Sequence, residues 1–346
     1  MICWPPSKTG WPNTAEPVVI KPIAALQGAR MFGAIIKPRN TSIMHENANQ
    51  LRLPEWMRVK VHTGQRRQET AAALGELKLN TVCEEAKCPN LAECWHQHSA
   101  TYMLMGKNCT RACRFCAIGY ARPETLDPEE PERVAEAAER MGLEYVVVTS
   151  VARDDLPDEG AAHFAATVRA LRARLPKAGI EILTPDFSGR LECIQVVVDS
   201  VPTVFNHNLE TCERLTPPVR GRARYHRSLQ VLADAKRLSN GTVLTKSGIM
   251  VGLGETDEEV LDCMRDLRAA GVDILTIGQY LPPSRKHWKL KRYVRPEQFE
   301  SWKALGEAMG FGAVASGPMV RSSYKAGMLV DGKLKEQAQS GLIFPN

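Results

Sequence analysis

The chain of 346 residues contains no stretch of about 18 or more consecutive apolar residues, so no membrane-spanning helix is expected. Its first residues lack the charged segment, apolar stretch and small-residue cleavage site of a secretory leader, which argues against an oxidising destination. Excess charge of one sign is small: 45 basic against 39 acidic side chains leave a net +6, too mild for a nucleic-acid footprint. It fits a partner with an acidic surface only weakly. No internal repeat and no low-complexity tract stands out, which sets aside repeat architectures.

What the sequence does have is cysteine. Ten are present, with 44% hydrophobic and 24% charged residues, the composition of a large globular core. A disulfide framework fits poorly in a long chain without a leader. Reduced thiols point to metal or redox chemistry and to a cytoplasmic protein. Residues 1–52, rich in Pro, Gly and Trp, are expected to form a mobile extension or to lie upstream of the true start, with Met31 and Met44 as alternatives. Few acids occur in residues 1–45, so organelle targeting is the alternative localisation, although Arg and Ser are not strongly enriched.

Residues 53–98 form a further extension, with a helix expected over Glu69–Leu79 and three cysteines after it. From residue 99 to 312 strands and helices alternate. Strands are expected at Thr101–Met105, Tyr145–Thr149, Ile180–Thr184, Thr203–Asn206, Val243–Met250 and Ile274–Tyr280. Helices are expected at Pro131–Met141, Ala161–Leu175, Tyr225–Leu238, Asp257–Ala270 and Pro296–Met309, with a shorter one within 187–194. Strands as apolar as Val146-Val147-Val148 suit a parallel sheet buried on both faces. Six such units predict an α/β fold, a partial (β/α)6 TIM-type barrel whose mouth is covered by the N-terminal extension and by residues 313–346. Such folds place their chemistry at the C-terminal ends of the strands. Thr149-Ser150, Thr184-Pro185-Asp186, Asn206-His207-Asn208 and Gln279-Tyr280 stand there.

Two cysteine groups have motif spacing. Cys109, Cys113 and Cys116 read C-x3-C-x2-C after the first barrel strand. Three thiolates in one loop can wrap three irons of a cluster and leave the fourth open, whereas an electron carrier needs four ligands. Cys83, Cys88 and Cys94 read C-x4-C-x5-C, again without a nearby fourth cysteine. Structural zinc is the alternative for each, and zinc is nearly always four-coordinate. His96 and His98 could complete such a site at the upstream group, but nothing comparable follows Cys116. Cys3, Cys193, Cys212 and Cys263 have no motif spacing and are read as incidental thiols.

The stretch CTRACRFC, with Phe115 before its last cysteine, resembles the cluster loop of the radical S-adenosylmethionine superfamily. With CEEAKCPNLAECW upstream and Arg321-Ser322-Ser323-Tyr324 near the end, the chain resembles the lipoyl synthase family over nearly all of residues 80–325. The 1–50 extension falls outside that likeness. The resemblance implies a [4Fe–4S] cluster on Cys109, Cys113 and Cys116 that binds S-adenosylmethionine. It implies an auxiliary [4Fe–4S] cluster on Cys83, Cys88, Cys94 and Ser323, a serine being a poorer and more labile soft-metal ligand than a thiolate.

The segments TSVARDDL, TPDF, VFNHNLET, TKSGIMVGLGET and TIGQYL match the family too. Thr149, Ser150, Arg153, Asn206, Asn208, Glu210, Lys246 and Gln279 in or near them are therefore candidates for binding S-adenosylmethionine, with helix caps and turns as the bland alternative. Two places depart from the pattern. Asp158-Glu159-Gly160 replaces a di-glycine, and Gly221 stands where an acid is more frequent.

The implied reaction inserts two sulfur atoms at carbons 6 and 8 of an octanoyl chain carried on a protein lysine. Acid–base catalysis cannot remove hydrogen from such carbons, whereas a radical from the cofactor can. The implied partners are an octanoylated lipoyl carrier domain or the glycine-cleavage H protein, and an electron donor such as flavodoxin or ferredoxin; no nucleic acid and no membrane is involved. The basic run Arg285–Arg292 is read first as a solvated loop and second as a dock for an acidic carrier.

Overall fold

The apolar run Val146-Val147-Val148 finds cover on both faces, as its composition requires. A computed structural model describes residues 52–58, 65–96 and 99–330, all within one unit, Asn47–Asn346. The strands are β1 (Asn80–Thr81), β2 (Thr101–Leu104), β3 (Asn108–Cys109), β4 (Gly119–Tyr120), β5 (Tyr145–Ser150), β6 (Gly179–Leu183), β7 (Val204–Asn206), β8 (Leu244–Val251), β9 (Ile274–Gln279) and β10 (Ala313–Gly317). The helices are α1 (Gln65–Glu76), α2 (Val82–Glu85), α3 (Leu91–His96), α4 (Glu130–Arg140), α5 (Ala161–Arg174), α6 (Leu191–Val198), α7 (Thr216–Arg220), α8 (Tyr225–Leu238), α9 (Asp257–Ala269) and α10 (Pro296–Ala308).

Eight strands form one sheet in the order β1-β2-β5-β6-β7-β8-β9-β10, while β3 and β4 pair separately. All neighbours in the large sheet are parallel except β1, which runs antiparallel to β2. Among the described residues no ladder joins β1 to β10, so the sheet stays open. This is the partial barrel expected, and its six predicted strands are present within a residue or two at each end.

The additions are at the edges. Β10 was not expected: Ala313, Ala315, Ser316 and Gly317 carry no strand signal, and only Val314 does. It forms because the edge of β9 offers a ladder from Ile274 to Gly278. The first helix starts at Gln65, earlier than Glu69. Among the described residues no helix is long and apolar enough to cross a membrane.

The parallel strands alternate side chains between the barrel interior and the helical layer. Val146, Val148, Ile180 and Ile182 are fully buried in the core that also holds Phe164, Val168 and Leu171 of α5. A second core gathers Leu275 and Ile277 of β9 with Met264, Phe299 and Trp302. Each such side chain contributes about 1.5–3 kcal/mol relative to exposure. Rigid strands of this kind leave the strand ends and their loops to carry the chemistry.

Candidate active site

Strand β2 delivers the first cysteine group through a sharp turn. Met105 and Gly106 both take positive φ, +68° and +89°. A side chain in that region is strained by about 1–3 kcal/mol unless its surroundings hold it. Here Glu130, buried at the start of α4, accepts the Met105 N–H at 2.9 Å and meets His163 Nε2 at 2.7 Å. Gly160 gives the turn room, since a Cβ there would stand 2.5 Å from Met105 Sδ.

The loop beyond is tied down on each side. Cys109 Sγ accepts N–H groups from Arg111 at 3.4 Å and from Ala152 at 3.3 Å. Arg111, within the motif, extends into a nest of carboxylates: Asp154, Asp186 and Glu159. Arg114 N–H donates to Val219 O at 2.8 Å, and Arg114 O accepts Trp288 N–H at 2.7 Å. The Arg114 guanidinium stacks 4.7 Å from the Trp288 ring centre, and His287 Nε2 lies 3.0 Å from Cys116 O. The basic run thus covers the loop with His287 and Trp288, while Lys289 and Lys291 remain exposed.

The second group rides on two short helices. Thr81 caps α2 by accepting Glu84 N–H at 3.3 Å, which presents Cys83. Cys88 N–H returns to Cys83 O at 3.0 Å, and Cys94 N–H reaches Asn90 O at 2.9 Å on α3. Thr70 of α1 donates to Trp95 O at 3.2 Å and braces α3 from behind.

Burial pushes the thiols of Cys94 and Cys116 up to about 12 and that of Cys113 to about 11, and it raises Cys83 as well. Neighbouring thiols add to each shift. Such groups become thiolates only when a cation takes the charge.

All six cysteines and Ser323 line one cavity of about 540 Å³. Thr149, Ser150, Thr184, Asn208 and Gln279 line it too, so it lies at the C-terminal ends of the strands. Four buried polar atoms of its lining residues, Asn90 Oδ1, Ser150 Oγ, Asn208 Oδ1 and Arg220 Nε, have no partner in the protein. They fit a ligand rich in amino, carboxylate and hydroxyl groups. Among the described residues no three His, Cys, Asp or Glu side chains converge as one metal ion would require. A cubane cluster is larger than an ion and asks its thiolates to stand apart.

The remaining expected residues divide. Phe115 and Glu210 line the cavity. Glu210 sits at φ +68°, and burial raises its carboxyl pKa although Arg220 and Asn208 oppose this. Thr149 Oγ1 is committed to Leu183 O at 2.9 Å. Gln279 shares its two amide N–H donors among three backbone carbonyls and accepts Val294 N–H, so both ends of its amide already meet the backbone.

Arg153, Asn206 and Lys246 are not in the cavity wall. Arg153 forks onto Asp155 at 2.9 Å. Lys246 Nζ lies 2.8 and 2.9 Å from the Glu181 oxygens, and Asn206 Nδ2 donates to Glu181 Oε1 at 2.8 Å, all inside the barrel.

Sequence reasoning missed Arg111, Arg220 and Ser322. Arg111 lay inside a recognised motif, but its partners at 154, 159 and 186 are remote in sequence. The two departures have local reasons. Glu159 takes φ +50° itself, and its carboxylate faces Arg190 at 3.4 Å and Arg111 at 3.6 Å. Gly221 ends α7 at φ +56° with open space around it.

Comparison with known proteins decides the family. The family model described as the N-terminal domain of lipoyl synthase matches residues 34–88, and that of the radical SAM superfamily matches 103–267. The chain is 54% identical to lipoyl synthase of Rubrobacter xylanophilus over 79% of its own length and 85% of the relative's. The match to the Thermus thermophilus lipoyl synthase is 55%, covering 79% and 85%. The chain belongs to the lipoyl synthase family.

Likeness to the family therefore begins by residue 34, earlier than the sequence reading placed it. The mitochondrial lipoyl synthase of Aedes aegypti is 51% identical, covering 84% of this chain and 76% of that one. Among solved structures, the FeFe-hydrogenase maturase HydG from Carboxydothermus hydrogenoformans superposes with a TM-score of 0.53 at 13% identity, over 77% of this chain and 69% of its own. That likeness establishes the fold alone. The chain is accordingly a radical S-adenosylmethionine sulfurtransferase of lipoate synthesis, which works with S-adenosylmethionine and [4Fe–4S] clusters.

Proposed function

We propose that the cavity brings a radical source and a sulfur source to one octanoyl chain, and that the two cysteine groups divide these tasks. The observation that carries this is the placement of both thiol triads and Ser323 on the same cavity. Cys109, Cys113 and Cys116 would hold a [4Fe–4S] cluster that binds S-adenosylmethionine and supplies, once reduced, a 5′-deoxyadenosyl radical able to take hydrogen from unactivated carbon. Cys83, Cys88, Cys94 and Ser323 would hold the second cluster, whose sulfides are the sulfur substrate for carbons 6 and 8.

The chain's own part is placement. Ser150 Oγ and Asn208 Oδ1 are free to receive polar groups of S-adenosylmethionine. The buried carboxylate nest around Arg111 fixes the cluster loop. Arg153, Asn206 and Lys246 would act through the wall they support, since they stand outside the cavity lining and Arg153 Nε and Nη2, Asn206 Nδ2 and Lys246 Nζ meet protein carboxylates.

The substrate is a lipoyl carrier protein. We assign an octanoylated carrier domain or the glycine-cleavage H protein to this role, with flavodoxin or ferredoxin as electron donor and the cytoplasm as location. Targeting by residues 1–45 concerns residues outside those described, as do the alternative starts at Met31 and Met44.

Anaerobic turnover with an octanoyl-lysine peptide, read by mass spectrometry, tests the reading. Two added sulfurs are expected, from protein holding about eight irons and eight sulfides. Protein that holds one or two zinc ions and adds no sulfur would overturn it.

A further inference from the structure

The segment that carries Ser323 is fastened to the cysteine loop by side chains that are not themselves cluster ligands. Asn90 is 2% exposed, and its Nδ2 donates to Met319 O at 2.8 Å. Glu93 Oε1 accepts the Tyr324 hydroxyl at 2.9 Å, with Lys325 Nζ 3.8 Å from the same oxygen. Asn90 and Glu93 lie between Cys88 and Cys94, and Met319 and Tyr324 bracket Ser323. The backbone–backbone bonds of Val320 and Tyr324 N–H are local, to Gly317 O and Arg321 O. Among the described residues no backbone ladder joins the two segments, which are more than 200 residues apart in sequence.

We infer that Asn90 and the Glu93–Tyr324 pair are positioning residues, a clasp that keeps Ser323 over the cysteine triad whenever its bond to iron is open. The inference rests on the proposed role of Ser323. A serine oxygen is a labile ligand for a soft metal site. Once it dissociates, its return depends on its effective concentration at the iron, which tethering raises. Two hydrogen bonds, one on each side of Ser323, supply that tether without adding a ligand. The Lys325 contact adds little, because Lys325 is half-exposed and solvent screens the pair.

The experiment is iron release from anaerobically prepared holoenzyme challenged with a ferrous chelator, followed by the loss of cluster absorbance. Tyr324→Phe removes the hydroxyl, and Asn90→Asp replaces the donating amide with an acceptor. In both variants about half of the iron should leave roughly 5-fold faster than in the unmodified enzyme, the ratio expected for one lost hydrogen bond. The other half should leave at the unmodified rate. Glu93→Gln, which keeps an acceptor for Tyr324, and Lys325→Met should behave like the unmodified enzyme.

Unchanged release in both Tyr324→Phe and Asn90→Asp, beside fast release in Ser323→Ala, overturns the clasp alone. Faster loss of all the iron from the clasp variants also overturns it, since that marks a general loss of structure. Unchanged release in Ser323→Ala would instead remove Ser323 as a ligand, and with it the reading on which the clasp rests.

Discussion

Arg111 grips Asp154 with two nitrogens, Nε at 3.0 Å and Nη2 at 2.5 Å, and reaches Asp186 with Nη1 at 2.7 Å. Burial by itself would raise the carboxyl pKa of Asp154, but the guanidinium and the Thr110 hydroxyl more than offset it and lower it. A planar fork with five donors meets one carboxylate bidentately and still reaches a second, a fixed geometry that an ammonium's point charge does not reproduce. Removing one partner of a buried ion pair costs about 3–5 kcal/mol because the others keep their charge. Arg111→Met should lose stability of that order in denaturant unfolding, and Arg111→Lys less. Equal stability of Arg111→Met and the unmodified protein would show that the nest does not hold the loop.

The two cysteine groups should fail differently. Cys113→Ala should abolish 5′-deoxyadenosine formation. Cys88→Ala should retain part of it while adding no sulfur to the peptide. Chromatography of the nucleoside and mass spectrometry of the peptide read the two steps separately. A Cys88→Ala enzyme that still makes lipoyl product would contradict the division of roles.

Gly278 is a steric gauge of the C-terminal segment. A Cβ on it would stand 2.2 Å from Val320 O, a backbone atom that cannot swing aside. Gly278→Ala should therefore displace residues 318–323 at a cost of about 1–3 kcal/mol. The expected enzyme cleaves S-adenosylmethionine at a near-normal rate and inserts little sulfur. Normal insertion would mean that the segment yields without consequence.

His207 gives stability a pH dependence. It is buried between Thr184 O and Ser228 Oγ, each 2.9 Å from a ring nitrogen. Burial, helped by Arg220, lowers its pKa from 6.5 to about 4. The unfolded chain binds this proton more readily, so stability is full above about 6.5 and declines as the pH falls toward 4. At pH 5.5 the loss from this group is about 1.4 kcal/mol. Thermal unfolding at pH 7.5 and 5.5 should show a smaller acid shift in His207→Gln than in the unmodified protein. An identical shift in the two would show that His207 is not the group responsible.

The exposed Lys289 and Lys291 offer a test of carrier docking. Reversing both charges should raise KM for an acidic carrier several-fold while leaving turnover of the free peptide unchanged. Unchanged KM on the intact carrier would assign the run to covering the cluster loop through His287 and Trp288.

The barrel was legible because its strands are apolar runs and its helices are amphipathic, signals that reside within each segment. The cysteine groups were legible because their ligands are neighbours in sequence. Strand β10 was not, since small residues pair only where an edge is already waiting. The contact of Asn90 with Met319 could not be read either, because it joins residues that only the fold brings together. Lys246 shows the converse. It stands at a strand position that resembles a ligand contact, yet its charge meets Glu181 within the barrel.

Because one hollow is bordered by both thiol sets, an acyl arm threaded into it would need no transfer between separate chambers. A half-modified chain could wait in place for its second sulfur. On the proposed division of roles, its supply would end with the protein's own store, and a single molecule's output would then be set by how soon that store is refilled.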